Sequence, residues 1–206
     1  MPSDQSTPTR STKRTLERGD LMDPIDYAQT RKSRRAALLA IKRPRRIDIG
    51  PVATCYFECF ETMVHQINEM LYIEKGGEAQ IADELNAYAG MVPNGAELVA
   101  TVMFEIDDPV RRHAFLAKLG GVEEGMFLRF AGLEVMGVPE EDVDRTNAEG
   151  KASSVQFIHF PFTAEHIAAF KTTDDQIILG FSHPEYSHMV ALQEATRASL
   201  AVDLDG

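Results

Sequence analysis

The clearest hydrophobic pattern in the chain predicts a helix over residues 60–74. Its apolar residues recur with a helical period and fall on one side: Met63, Val64, Ile67, Met70 and Leu71. The glycine pair Gly76-Gly77 directly after it predicts where the helix stops. This helix is therefore a central element of the predicted fold.

The remaining apolar stretches predict strands interleaved with helices. A first helix begins at Pro24, is capped by Asp23 and is ended by Pro44. Further helices are predicted at 79–91, 108–121, 163–171 and 185–201. Short apolar runs predict two strands around Gly50-Pro51 within 47–60, a strand pair in 126–138, and strands at 97–106, 153–162 and 176–183.

These elements predict an α+β fold, with a mixed β-sheet flanked by helices. Several predicted strands are near neighbours in the chain, which argues against a strictly parallel wound sheet. The length of 206 residues fits a single domain, which we place at 21–206. Residues 1–20 are polar and aperiodic, and so predict a disordered basic N-terminal tail.

Composition narrows the class of protein. No apolar run approaches the length that spans a bilayer, and the N-terminus lacks the hydrophobic stretch of a secretory signal. The two cysteines, Cys55 and Cys59, fit reduced thiols in the cytoplasm. We expect both to be buried thiols, with a redox or metal pair as the alternative. The predicted protein is therefore cytoplasmic, with no membrane partner.

Charge is distributed unevenly along the chain. The net charge is −11, but residues 1–46 carry +7 and residues 47–206 carry −18. Eight of the sixteen residues in 31–46 are basic. Such an arm is typical of a segment that pairs with an acidic protein surface, in the same chain or in a partner. Nucleic acid is the weaker alternative, because the acidic remainder would repel phosphates and no aromatic residues interleave the arginines.

Common catalytic signatures are missing from the sequence. It contains no dinucleotide-binding glycine motif, P-loop, zinc-protease helix motif, serine-hydrolase elbow or paired C-x-x-C. The predicted central helix carries a row of acids and one histidine opposite its apolar side: Glu58, Glu61, His65 and Glu69. We interpret this row as a solvated acidic stripe. A metal site is the alternative, but we assign no metal to it.

Several sequence blocks resemble a bacterial family known as domain of unknown function 3501. The blocks run in order as TMVHQINEMLYIEK, DELNAYAGMVPNG, AELVATVMFEI and SHPEY, within residues 18–187. The strongest matches in the first block are Gln66, Glu69, Met70, Leu71 and Glu74. The chain departs from the pattern at Ile41, where a histidine is expected, and at Cys59-Phe60, where an Asp-Arg pair is usual.

The resemblance implies a setting rather than an activity. Members of this family are encoded beside rubrerythrin-like proteins and iron–sulfur oxidoreductases, which implies redox partners in an oxidative-stress setting. The resemblance supplies no cofactor and no catalytic residues.

One polar site is predicted around Glu74. This carboxylate falls in the middle of the apolar arc of the central helix, where burial requires a partner. We expect it to face inward with Gln66, near Lys42 and Arg46, with His183 or Tyr186 contributed by the last strand. Glu69 completes the candidate ligand-binding residues. The alternatives are that Glu74 reaches solvent at the helix end and that His183 and Tyr186 are structural.

Three functions follow from these observations. The first is an accessory or binding protein that acts with redox partners. The second is a metal-dependent or small-ligand enzyme with a carboxylate and histidine site. The third is a nucleic-acid-linked regulator that uses the basic arm.

Overall fold

The computed structural model of the protein describes residues 11–140, 146 and 150–205. Its α-helices are α1 (Pro24–Lys42), α2 (Phe60–Glu74), α3 (Gly77–Ala89), α4 (Pro109–Leu116), α5 (Ala164–Thr172) and α6 (Glu194–Ala201). Its strands are β1 (Arg46–Ile49), β2 (Ala53–Phe57), β3 (Glu97–Phe104), β4 (Met126–Phe130), β5 (Leu133–Met136), β6 (Val138–Pro139), β7 (Val155–Pro161), β8 (Ile178–Phe181) and β9 (Met189–Ala191). None of the described helices is both long and apolar enough to cross a membrane.

The strands form two sheets. The first has the order β1-β2-β3-β7-β6 and the second has the order β5-β4-β8-β9. Every pair of neighbouring strands in these sheets is antiparallel. The predicted α+β class is confirmed, and the strands that the sequence placed in one mixed sheet are divided between two.

Alternation along the strands separates the main core from the opposite face of the first sheet. In β3, Leu98, Ala100 and Val102 belong to the main core, whereas Val99 packs with Met63 of α2 on the other face. The main core also receives buried residues of the second sheet and of the helices after β3: Met126, Leu128, Phe130, Leu179, Phe181, Leu116, Phe170 and Leu200. The other face of the first sheet is therefore left for α2 and α3 to cover.

Two predicted helix ends agree with the observed caps, namely the start of α1 and the end of α2. The carboxylate of Asp23 accepts a hydrogen bond from the Ile25 N–H at 2.8 Å, with Pro24 at the first helical position. Helix α2 ends where Lys75 adopts a left-handed conformation, at φ 56°, and donates its N–H to the Leu71 carbonyl. Local sequence signals therefore set these ends.

Part of the predicted tail lies against the folded body instead of being disordered. The Arg14 guanidinium pairs with Asp205 at 2.7 Å, and Leu16 packs on the apolar clusters beneath α2. The Ser11 N–H donates to Glu61 at 2.5 Å. These long-range contacts give a polar segment partners that its own sequence does not show. Residues 1–10 lie outside the described part of the chain, so the prediction for them stays a prediction.

The predicted closing helix over 185–201 is wrong in its first half. Residues 189–191 form β9, which pairs with β8, and α6 begins only at Glu194. The partly buried Val190 packs against the main core. Strand pairing with β8 overrides the helical pattern here, because it gives Val190 a partly buried position and its backbone a hydrogen-bonding partner.

Candidate functional site

Strand alternation places a row of polar side chains on the face of the first sheet opposite the main core. In β2, Ala53, Cys55 and Phe57 enter the core. The intervening Tyr56, and Glu58 directly after the strand, line a cavity on the other face. Because side chains point to alternate faces of a strand, the period of two fixes this arrangement.

Helices α2 and α3 enclose this cavity, whose volume is about 420 Å³. Gln66 projects from α2 and Tyr88 from α3, and the amide of Gln66 donates to the Tyr88 hydroxyl at 3.4 Å. The other lining residues are Lys42, Met63, Ala87, Met91, Thr101, Met103, Glu140, Val155 and Phe157. The lining therefore combines apolar side chains with polar ones, three of which are charged: Lys42, Glu58 and Glu140.

Glu58 is the buried acid of the cavity. Only 9% of its surface is exposed, and its carboxylate accepts a hydrogen bond from the Thr101 hydroxyl at 2.7 Å. Its backbone is fixed on both sides, because its N–H donates to the Val99 carbonyl and its own carbonyl accepts from Arg45 at 2.6 Å. The carboxylate is thus held in one place at the cavity wall.

The buried cation next to Glu58, Arg45, also has other partners. Arg45 is 1% exposed and forms a buried ion pair with Asp203. Its guanidinium also donates to the carbonyls of Phe57 and Ser199. The Arg45 guanidinium is thus shared between the Asp203 carboxylate and three backbone carbonyls, and is not reserved for the Glu58 carboxylate.

The ring of Tyr56 at the cavity attracts cations of the protein itself. The Lys42 ammonium lies 5.8 Å from the centre of the ring and the Arg46 guanidinium 5.7 Å from it. Arg46 also donates to the Tyr56 hydroxyl at 3.3 Å. The electron-rich ring face favours positive charge at these distances. Lys42 therefore shows where a cation is accommodated next to the cavity.

The structure brings together two of the predicted site residues, Lys42 and Gln66, in this cavity. Arg46 lies in a different, open groove beside β9, where it pairs with Asp48 at 2.9 Å. Glu69 faces α1 instead. The remaining three predicted residues lie elsewhere.

The predicted inward position of Glu74 is wrong. Glu74 is exposed at the last position of α2 and accepts a hydrogen bond from Gln80 at 2.8 Å. The helix ends at this residue, so its position on the apolar arc does not place it under another element. The alternative reading, in which the carboxylate escapes to solvent, is the one that the structure shows.

His183 and Tyr186 tie the second sheet to its neighbours and do not line the cavity. Tyr186 is 2% exposed, donates its hydroxyl proton to the Ile49 carbonyl at 2.5 Å, and accepts from the Ala53 N–H at 3.1 Å. Burial raises the pKa of the Tyr186 hydroxyl. A ring nitrogen of His183 lies 3.2 Å from the Gly120 carbonyl. Both contacts are structural.

The acidic row on α2 is not the solvated stripe that the sequence indicates. Glu58 precedes α2 and belongs to the strand register, whereas His65 and Glu69 face α1. Within residues 11–140, 146 and 150–205, no three histidine, cysteine or acidic side chains are grouped as ligands for a metal ion.

Glu69 is the centre of a polar network in the contact between α1 and α2. It accepts two hydrogen bonds from Arg31, at 2.8 and 2.7 Å, and one from the Tyr27 hydroxyl at 2.6 Å. The Arg31 hydrogen bond lowers the pKa of Glu69 to about 2, with Tyr27 contributing and desolvation opposing. Burial lowers the pKa of His65, the neighbour of Tyr27. Glu69 is therefore an ionised structural group.

Sequence reasoning does not bring together the two residues at the centre of the cavity, Glu58 and Thr101. The acidic row groups Glu58 with the residues of α2, although the alternation of apolar and polar residues in Ala53–Phe57 continues to Glu58. Thr101 is the polar residue in the middle of the apolar strand β3. A strand period extended by one residue was the available signal for Glu58.

Comparison with known proteins identifies the family. A model described as "Protein of unknown function (DUF3501)" matches residues 15–204. The fold is similar to a crystal structure of a novel protein of unknown function from Burkholderia pseudomallei K96243, with 36% sequence identity and a TM-score of 0.86, covering 93% of this chain and 100% of that chain. No curated protein matches the sequence. The resemblance noted in the sequence blocks is thereby confirmed: the chain belongs to the DUF3501 family of proteins of unknown function.

Proposed function

We propose that the protein is a small-ligand-binding protein whose cavity between the first sheet, α2 and α3 holds an organic cation. The observation that carries this proposal is the buried carboxylate of Glu58 in the cavity lining, with Thr101 as its side-chain hydrogen-bond donor. A volume of about 420 Å³ is in the range of small-ligand sites.

The charge of Glu58 supports a cationic ligand. Burying a carboxylate is costly unless it is paired and hydrogen-bonded. Thr101 supplies one hydrogen bond, and the charge of Arg45 is shared with Asp203. Lys42 also lines the cavity, and a ligand ammonium group placed against Glu58 would add further positive charge where water screens it weakly.

The rest of the lining supports an apolar body on that ligand. Tyr56, Tyr88 and Phe157 offer aromatic surface, which attracts cations as well as apolar groups. Three methionines, Met63, Met91 and Met103, supply flexible apolar contacts that adapt to a ligand's shape. Among the described residues that line the cavity there is no histidine, so the geometry favours binding over a carboxylate–histidine catalytic site.

Calorimetric titration with a matched pair of probes tests the proposal. Choline carries a quaternary ammonium, and 3,3-dimethylbutan-1-ol has the same shape without the charge. We expect choline to bind and the alcohol to bind at least about tenfold more weakly. The reason is that losing a contact with a charged group costs more binding free energy than losing a contact with a neutral group. Benzylamine tests the same charge on an aromatic body.

Two variants locate the site. Glu58→Gln keeps the side-chain shape and removes the charge, so we expect it to abolish the preference for the cation. Glu165→Gln makes the same change on an exposed residue of α5 and should leave binding unchanged. Equal binding of choline and the alcohol, or an unaltered preference in Glu58→Gln, contradicts the proposal, as does the failure of every cation to bind.

We further propose that this binding protein is cytoplasmic and acts in a redox or oxidative-stress setting beside rubrerythrin-like and iron–sulfur proteins. The family resemblance supports the redox setting, and the two buried cysteines, which are not joined in a disulfide, support the cytoplasmic location. Burial raises the pKa of the Cys55 thiol, and the charge of Glu58 adds to this effect. The buried Cys55 thiol is therefore a poor nucleophile, and the proposed redox link is assigned to partner proteins. Titration of the protein with a purified rubrerythrin-like protein tests it, and absence of binding contradicts it.

A further inference from the structure

Helix α1 is almost entirely on the surface. Of its 19 residues, only Tyr27 and Leu38 are buried. Two large apolar side chains of this helix are exposed, Leu39 at 67% and Ile25 at 73%. A helix that packs by so few residues leaves a broad face without a partner in the described chain.

A groove of about 590 Å³ runs between this face of α1 and the ring of Tyr72 on α2. Its apolar part is formed by Ala28, Ala36, Leu39 and Tyr72. Its remaining lining residues are cationic, namely Arg31, Lys32 and Arg35. The surface therefore combines an apolar strip with a positive edge, and we call it the α1 groove.

The cations of the α1 groove differ in how far they are already engaged. Arg31 is fixed by Glu69 and lies 5.0 Å from the centre of the Tyr72 ring. In the part of the chain that the structure describes, no ion pair involves Lys32 or Arg35. The groove thus has one rigid wall and two cations available to a partner.

We propose that the α1 groove docks an acidic amphipathic helix of a partner protein. Apolar residues at helical spacing in the partner would lie on Leu39, Ala36 and Tyr72, and its acids would pair with Lys32 and Arg35. Charge complementarity carries the choice of partner, because the groove is positive on a protein whose residues 47–206 carry −18. This inference does not depend on the ligand of the cavity.

Other occupants fit the groove less well. A second copy packed symmetrically on α1 would bring the same cations face to face. A nucleic acid would find an apolar strip where phosphate contacts are needed, next to a strongly acidic body. Both occupants give distinct results in the test below.

The test uses a soluble fluorescent peptide helix of leucine and glutamate with leucines on one face. Anisotropy should show binding that weakens with salt. We expect Leu39→Glu and Arg35→Glu each to weaken it by at least about tenfold, as for central interface residues. Lys118→Glu, the same charge change at an exposed lysine after α4, is the matched control and should leave the affinity unchanged.

The peptide design also separates the two components of recognition. A peptide with serine in place of leucine should bind at least about tenfold more weakly, because the apolar strip is then left unfilled. The proposal is overturned if the first peptide does not bind, if the serine peptide binds equally well, or if Leu39→Glu has no effect. Equally tight binding of duplex DNA, or self-association that Leu39→Glu abolishes, also overturns it.

Discussion

Two carboxylates on opposite sides of helix α2 have opposite surroundings. Glu69 accepts three hydrogen bonds from Arg31 and Tyr27 in the contact with α1. Glu58 accepts one from Thr101 and faces a cavity. Both are largely withdrawn from water, but only Glu69 has an arginine of its own.

The difference separates a structural acid from a candidate binding acid. An acid whose hydrogen-bonding capacity is filled by its own chain stabilises the fold and has little left for a ligand. A buried acid that can accept further hydrogen bonds lowers the stability of the fold, and it can bind a ligand that supplies the missing partner. The family-like sequence block contains the first of these acids, whereas the geometry directs attention to the second.

Replacement of the structural acid should have the largest effect. Glu69→Gln removes the charge that Arg31 and Tyr27 share, so we expect the free energy of unfolding to fall by about 1.5–3 kcal/mol, the range for hydrogen bonds to charged groups. Urea denaturation at neutral pH measures it. Glu165→Gln is the exposed control, and an unchanged free energy in Glu69→Gln would show that the network adds no stability.

Acid should remove the same contribution without a mutation. The pKa of Glu69 is lowered from an ordinary 4.5 to about 2, so its contribution is complete above pH 4.5 and is lost as the pH falls through 2. The difference in unfolding free energy between the protein and Glu69→Gln should therefore shrink over this window, by about 1–3 kcal/mol in all. A difference that stays constant down to pH 2 contradicts the assigned pairing.

Replacement of the cavity acid should have the smallest effect on stability. Glu58→Gln keeps an oxygen to accept from Thr101 and removes a buried charge, so the unfolding free energy should change by less than about 1 kcal/mol. Urea denaturation of Glu58→Gln and Glu69→Gln under the same conditions measures both changes in the free energy of unfolding. A loss as large as that of Glu69→Gln would make Glu58 a second structural acid and end the comparison.

Much of the fold was predictable because its signals are local. The period of α2, the Asp23-Pro24 start of α1 and the strands around Gly50 all depend on neighbouring residues. The β9 segment was missed because strand pairing with β8, and not local preference, decides it. The ordered residues 11–20 were missed for the same reason, since Arg14 finds Asp205 at the far end of the chain.

The candidate site was less predictable than the fold. Gln66 and Lys42 both line the cavity, but the predicted acid, Glu74, lies on a helical arc that ends in solvent. Helical periodicity gives the direction of a side chain and does not show whether another element covers it. Glu58 is covered because α2 and α3 pack over the strand that precedes it.

The sequence by itself determined the family, the α+β class, the central helix, and the contrast between a basic arm and an acidic body. Each depends on composition or on residues close together in the chain. Only the tertiary structure decided which acid receives a partner. Glu58 and Thr101 are 43 residues apart in sequence and Arg31 and Glu69 are 38 apart, so their pairings arise from packing and not from any local pattern.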